Sequence, residues 1–207
     1  PGTLAIMAER YGVNAGAVPA QYGETLDLPG GVRATYLPAG HVLGSAQILL
    51  EHAGERVIVT GDYKRRPDPT CLPFQPVACD VFITEATFGL PVFRHPPIED
   101  EIAKLLHARA ANPERCMLVG AYALGKAQRV IAQLRLAGHH EPIYLHGALE
   151  QMCRLYEEHG VDLGELRLVA GMPKGALAGQ IVLCPPSALN DRWSRRLPDP
   201  ITAMASA

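Results

Sequence analysis

LPAGHVLGSAQILLEHAGERVIVTGD, running from Leu37 to Asp62, is the stretch on which the reading of this chain turns. Thr35-Tyr36-Leu37 is a short apolar run that breaks at Pro38, and Gly40-His41 follows in a loop. Ala46 to Leu50 and Val57 to Thr60 are β-type runs joined by the polar turn His52-Ala53-Gly54-Glu55, so the segment reads strand, loop, strand, hairpin, strand. Gly61 ends the last run where the backbone is free to bend, and Asp62 emerges there. A histidine and an aspartate carried on loops at one sheet edge suit the holding of a metal ion. Taken by residue type alone, the simpler reading is a satisfied histidine near a hairpin and an aspartate capping a turn.

Working outward, the N-terminal side opens with PGTLAIMAERYG, an amphipathic helix with Leu4, Ile6, Met7 and Tyr11 as its apolar side. Glu24 to Leu28 then leads through Pro29-Gly30-Gly31, a turn, into the strand before His41. On the other side come Tyr63-Lys64-Arg65-Arg66 and a proline-punctuated loop to Pro76. Three adjacent cations beside Asp62 could draw in a phosphodiester backbone through local charge, although a solvated turn is the simpler account of the charges by themselves. Val81 to Thr84 reads as a buried strand with Glu85 at its end.

Residues 86–97 are loop-like, and the domain boundary is placed here, giving units 1–88 and 89–207. Beyond it, strands and helices alternate. Helices are expected over 98–110, 126–137 and about 148–159, and strands at 117–119, 143–145, 181–184 and 201–204. That alternation predicts a parallel sheet with helices on its faces, a small Rossmann-like layer. GAYALGKA, residues 120–127, has the outline of an anion-binding turn at a helix start. With Ala127 where a nucleotide-binding loop needs a hydroxyl for magnesium, it is no ATPase motif. A phosphate contact by Lys126 and an ordinary tight turn both remain open. Trp193 with Arg192, Arg195 and Arg196 could stack a base beside phosphates, or simply anchor a surface loop.

Composition narrows the field. The 207 residues can hold one large domain or two small ones. Five cysteines without a CxxC pair suit a reducing compartment and exclude a Cys-rich zinc ribbon. No apolar run has membrane-spanning length, so a soluble, cytoplasmic protein is expected. A net charge of −2 offers no global basic field for nucleic acid, which leaves local patches or a metal to bind it. None of the other histidines has metal-ligand spacing with another.

GHVLGSAQ, VTGDYKRRPDP and FITEATFG, at 40–47, 59–69 and 82–89, resemble three successive signatures of metallo-β-lactamase-fold nucleases of the β-CASP branch. The wording of TGDYKRRPDP and TEATFGLPVFRHP is closest to the bacterial ligase-associated DNA exonucleases, and the resemblance runs over nearly the whole chain. It implies an α/β architecture: part of a metallo-β-lactamase αββα sandwich followed by a Rossmann-like β-CASP domain. It implies a zinc-dependent phosphodiesterase that degrades DNA rather than RNA, as an exonuclease in repair beside a ligase and a helicase. Two zinc ions are expected, with manganese as the substitute. By the same resemblance His41 and Asp62 are metal ligands, Asp62 bridging both ions. Glu85 then orients a histidine that protonates the leaving oxygen, and Lys64, Arg65, Arg66 and Lys126 meet the substrate. The family's upstream HxHxDH motif and its C-terminal histidine motifs have no match in this sequence. The chain is therefore expected to be the central segment of a longer enzyme, inactive alone. The rival readings are a non-catalytic nucleic-acid-binding or scaffold module, and an RNA-processing nuclease of the same fold. A hydrolase of small esters or lactams fits neither the second half nor the cationic run.

Overall fold

The computed structural model describes residues 1–12, 16–173 and 175–205. The chain divides into two compact units, Pro1–Phe93 and Arg94–Ala207. No helix among the described residues is long and apolar enough to cross a membrane.

The first unit is built on helix α1 (Gly2–Tyr11) and a five-stranded sheet of β1 (Thr25–Leu28), β2 (Val32–Pro38), β3 (Ala46–His52), β4 (Glu55–Val59) and β5 (Val81–Ile83), in that spatial order. The pairs β1–β2, β2–β3 and β3–β4 are antiparallel, and β5 joins β4 in parallel. Between β3 and β4, Ala53 and Gly54 both have positive φ, 49° and 87°. That is the two-residue turn whose twist matches the flanking strands. Alternation along the strands turns Leu37, Leu49 and Ile58 to one face, where Val77 and Cys79 pack on them. Burying a side chain such as Ile58 contributes about 2 kcal/mol. Tyr11 does not join the apolar side of α1. The helix ends at that residue, 73% of the tyrosine is exposed, and the Arg10 guanidinium lies over its ring.

The second unit is a five-stranded parallel sheet of β6 (Met117–Gly120), β7 (Ile143–Leu145), β8 (Leu166–Leu168), β9 (Ile181–Cys184) and β10 (Ile201–Met204), ordered β10-β6-β9-β7-β8. Helices α2 (Ile98–Ala111), α3 (Lys126–Leu136) and α4 (Gly147–Glu158) pack in series. The other side is closed by Leu177, Ala188 and Leu197, with Val169, Met172, Leu189 and Trp193 partly buried against them. β6 and β9 are buried along their whole length, as parallel strands covered on both faces must be. The molecule is thus α/β, with a mixed sheet followed by a parallel one.

Candidate metal and phosphate site

Strand direction gathers the candidate residues of the first unit. β2 and β4 both run antiparallel to β3, and β5 runs parallel to β4, so β2, β4 and β5 end at the same edge. His41 follows β2, Asp62 follows β4 and Glu85 follows β5. Val59 pairs with Ile83, which leaves Asp62 and Glu85 just beyond matched positions of neighbouring strands. The Thr60 amide donates to the Ile83 carbonyl (3.0 Å), and the Thr60 and Thr84 hydroxyls lie 3.4 Å apart.

The His41 loop is tied down by its neighbours. The Ser45 hydroxyl accepts from the His41 and Val42 amides at 3.0 and 3.1 Å, and the Ala39 amide donates to the Ser45 carbonyl at 3.1 Å. That carbonyl also accepts from the Tyr22 hydroxyl at 2.9 Å, and burial raises the phenol's pKa, so it stays a donor. The Thr3 hydroxyl at the start of α1 donates to the Gly44 carbonyl. Buried Gln47 donates from its amide to the carbonyls of Pro38 and Gln75, stitching β2 to the long loop. Gly40, with φ +70°, packs so closely that a Cβ there would lie 2.5 Å from the Lys64 carbonyl oxygen and 2.7 Å from the Phe74 amide nitrogen. The Lys64 amide in turn donates to the Ala39 carbonyl at 3.0 Å. The two loops are therefore held together by their backbones.

The consequence is that His41 Nε2 and Asp62 Oδ2 stand 3.8 Å apart, both side chains substantially exposed. Two ligands of one tetrahedral zinc at bond lengths of about 2.0–2.1 Å are separated by roughly 3.3 Å. The pair would fit one edge of such a coordination sphere after a small closing movement. Among the described residues no group of three or more His, Cys, Asp or Glu comes together, and two ligands do not close a zinc site. The donors here fit part of the sphere, not the whole. Glu85 Oε2 accepts from the Thr87 amide at 2.7 Å and closes the turn after β5.

The cationic run separates by position. Lys64 is turned inward, its ammonium paired with the buried Asp68, whose other oxygen accepts from the Thr70 amide (3.0 Å) and hydroxyl (2.6 Å). Arg65 and Arg66 are exposed. Tyr63 sits between Phe74 and Phe82, with ring centroids at 5.1 and 6.4 Å. In the second unit, residues 120–127 form a tight turn that uses its own amides. Gly125 donates to Gln128 Oε1 (2.8 Å), Lys126 to the Leu124 carbonyl (3.0 Å) and Ala127 to the Tyr122 carbonyl (3.0 Å). The amides expected to receive an anion are engaged within the turn. Sequence reasoning gives no role to Ser45, Gln47 or Asp68, although the first two stand inside the GHVLGSAQ motif.

No family model matches the chain. A protein of Opitutus terrae described as "Probable DNA ligase" is 33% identical over 208 residues, covering 98% of this chain and 20% of that protein. The cleavage and polyadenylation specificity factor subunit 3 of Dictyostelium discoideum is 36% identical over 135 residues, 59% of this chain and 17% of that protein. Endoribonuclease YSH1 of Saccharomyces cerevisiae is 34% identical over 146 residues, 64% of this chain and 18% of that protein. The chain thus spans about a fifth of the length of the curated relatives it matches. With relatives of this kind aligned along its mixed and parallel sheets, the chain belongs to the β-CASP branch of the metallo-β-lactamase-fold nucleases.

Proposed function

We propose that this chain is a segment of a metal-dependent phosphodiesterase that degrades DNA, working as an exonuclease in repair beside a ligase and a helicase. The observation that carries the reading is the His41–Asp62 pair, 3.8 Å apart at the sheet edge where β5 also delivers Glu85. In this reading residues 1–88 belong to the metallo-β-lactamase domain and 89–207 to the β-CASP domain. DNA is favoured because the relative aligned with 98% of the chain is described as a DNA ligase. The second reading, an RNA-cleaving enzyme, is supported by the endoribonuclease aligned with 64% of it.

His41 and Asp62 would hold zinc, or manganese in its place, as part of a ligand set completed by other residues of the intact enzyme. When bound, such ions supply a hydroxide nucleophile near neutral pH and offset charge on the phosphate oxygens. Arg65 and Arg66, beside Asp62 and exposed to solvent, draw the phosphate backbone to this edge. Lys126 is a further cation for the strand in the second unit. Glu85 holds an imidazole protonated and aimed at the leaving oxygen.

The test is made on the full-length protein with end-labelled DNA and RNA, single- and double-stranded. Asp62→Ala is expected to lose both bound metal and cleavage. Glu85→Gln is expected to keep its metal and lose on the order of 10² to 10⁴-fold in rate. A nitrophenyl phosphodiester, which needs little protonation on leaving, is expected to be slowed far less by Glu85→Gln. Metal loss in Glu85→Gln, or equal slowing of both substrates, refutes the division of roles. An intact protein that cleaves neither nucleic acid refutes the function.

A further inference from the structure

The turn from Asp191 to Leu197 presents three arginines and a tryptophan that the nuclease reading does not use. Trp193, Ser194 and Leu197 face inward. Ser194 and Leu197 are buried, and Trp193 is half-buried against the cluster of Cys116, Leu118, Tyr144 and Leu197. The Ser194 hydroxyl donates to the Asp191 carbonyl at 3.0 Å, and the Asp191 carboxylate accepts from the Trp193 amide at 2.5 Å. With those three side chains turned in, Arg192, Arg195 and Arg196 are all exposed. Arg195 and Arg196 stand on the short 3₁₀ helix Ser194–Arg196, and Arg192 lies in the turn that leads into it.

Among the described residues none of these three guanidiniums has a carboxylate partner, and the other acid of the segment, Asp199, is paired with Arg115 at 2.8 Å. The indole is held in place beside them. His146, directly after β7, accepts the Ala148 amide on Nδ1 at 3.0 Å, which leaves the proton of the neutral ring on Nε2. Its ring meets Trp193 edge-on, with centroids 4.6 Å apart. A fixed aromatic surface flanked by unpaired guanidiniums is the pairing of groups that takes a base face and its phosphates together. A duplex hides its base faces, and a peptide acid or a lipid headgroup has no planar ring for the indole.

We infer that the Arg192–Arg196 turn, with Trp193 braced by His146, is a contact site for single-stranded nucleic acid. The inference deepens the nuclease reading and rests on its substrate class. Trp193 is the only tryptophan of the chain, so its own fluorescence reports the contact.

The chain is titrated with a twelve-residue oligothymidylate. Saturable quenching is expected, and Arg→Gln changes at 192, 195 and 196 should flatten log affinity against log salt by roughly 0.7 per lost contact. By anisotropy of labelled oligonucleotide, Trp193→Phe should bind within a few-fold of the parent, and Trp193→Leu on the order of tenfold more weakly. Polyglutamate and phosphatidylglycerol vesicles of matched charge should leave the fluorescence unchanged. Unquenched tryptophan in a chain that binds the oligonucleotide overturns the inference, as does equal quenching by either control. Quenching with an intact protein that cuts neither DNA nor RNA supports this site and overturns the catalytic reading. Cleavage by the intact protein without quenching does the reverse.

Discussion

Replacing Gly40 with alanine should cost far more than the same change at Gly54, although both have strongly positive φ. Gly40 (φ +70°) would place its Cβ 2.5 Å from the Lys64 carbonyl and 2.7 Å from the Phe74 amide, whereas Gly54 (φ +87°) meets nothing within 4 Å. The left-handed backbone itself costs an alanine about 1 kcal/mol at either position. Forcing apart close-packed backbone adds about 2 kcal/mol, at Gly40 only. The totals are about 3 and about 1 kcal/mol. Native-state hydrogen exchange at Leu49 and Ile58, buried strand residues of the same unit, reads that difference directly. Where exchange tracks opening, Gly40→Ala should accelerate it roughly 150-fold and Gly54→Ala roughly fivefold. Equal acceleration would refute the claim that the His41 and Asp62 loops are pressed together through Gly40.

Lys64→Ala should lower stability by about 3 kcal/mol, because it strips the cation from the buried Asp68 carboxylate, and urea unfolding measures it. Arg65→Ala and Arg66→Ala should each change stability by less than about 0.5 kcal/mol, while each flattens the salt dependence of DNA binding by roughly 0.7–0.9. Burial holds the thiols of Cys116 and Cys184 up at about 12 and that of Cys153 up at about 11. Iodoacetamide at pH 8 should therefore label only Cys71 and Cys79 in the folded chain, with mass spectrometry finding the other three only after denaturation. Burial, and then Arg109, lower the pKa of His139 below its usual 6.5. The unfolded chain therefore takes up that proton first, and the contribution to stability present above pH 6.5 is lost as pH falls below it. His139→Gln should remove that part of the pH dependence, read by urea titrations between pH 7.5 and 5.5.

Much of this was legible in the sequence because local pattern and tertiary demand agree. The β-type runs at 46–50 and 57–60, and the apolar runs at 117–119 and 181–184, are strands in the structure, whereas Val81 to Thr84, expected as a buried strand, forms the exposed edge strand Val81–Ile83. β8 escapes sequence reading because Leu166-Arg167-Leu168, at the end of the sheet, carries an exposed arginine in its middle and so lacks the continuous apolar run that marks the equally short β7. Tyr11 is misplaced by periodicity because helical spacing says which residues share a face but not where the helix stops. Lys64, Arg65 and Arg66 look alike as letters. What distinguishes them is Asp68, four residues on from Lys64, whose burial depends on a loop fold that no pattern encodes. The amides of 120–127 could not be assigned from sequence either, since Gln128 takes the Gly125 amide by reaching back across the turn and carbonyls of the turn itself take those of Lys126 and Ala127.

The contacts that form the sheet edge are not the groups proposed to do chemistry there. Gly40 fixes the spacing of the two loops, Ser45 and Tyr22 close the His41 loop, Gln47 ties β2 to the long loop, and Asp68 with Thr70 and Lys64 holds the backbone after Asp62. Backbone groups and neighbouring side chains make those closures, while the Asp62 carboxylate stays 73% exposed at the surface they create. An exposed His–Asp contact at 3.8 Å, ionic only when the imidazole is protonated, contributes little to stability, with about 0–1 kcal/mol the usual range. Stability therefore cannot be the reason for holding His41 and Asp62 together. Their juxtaposition is a by-product of closures that would persist without them, which is the condition for a preorganised ligand pair: the edge keeps its shape whether or not the two side chains have anything to bind.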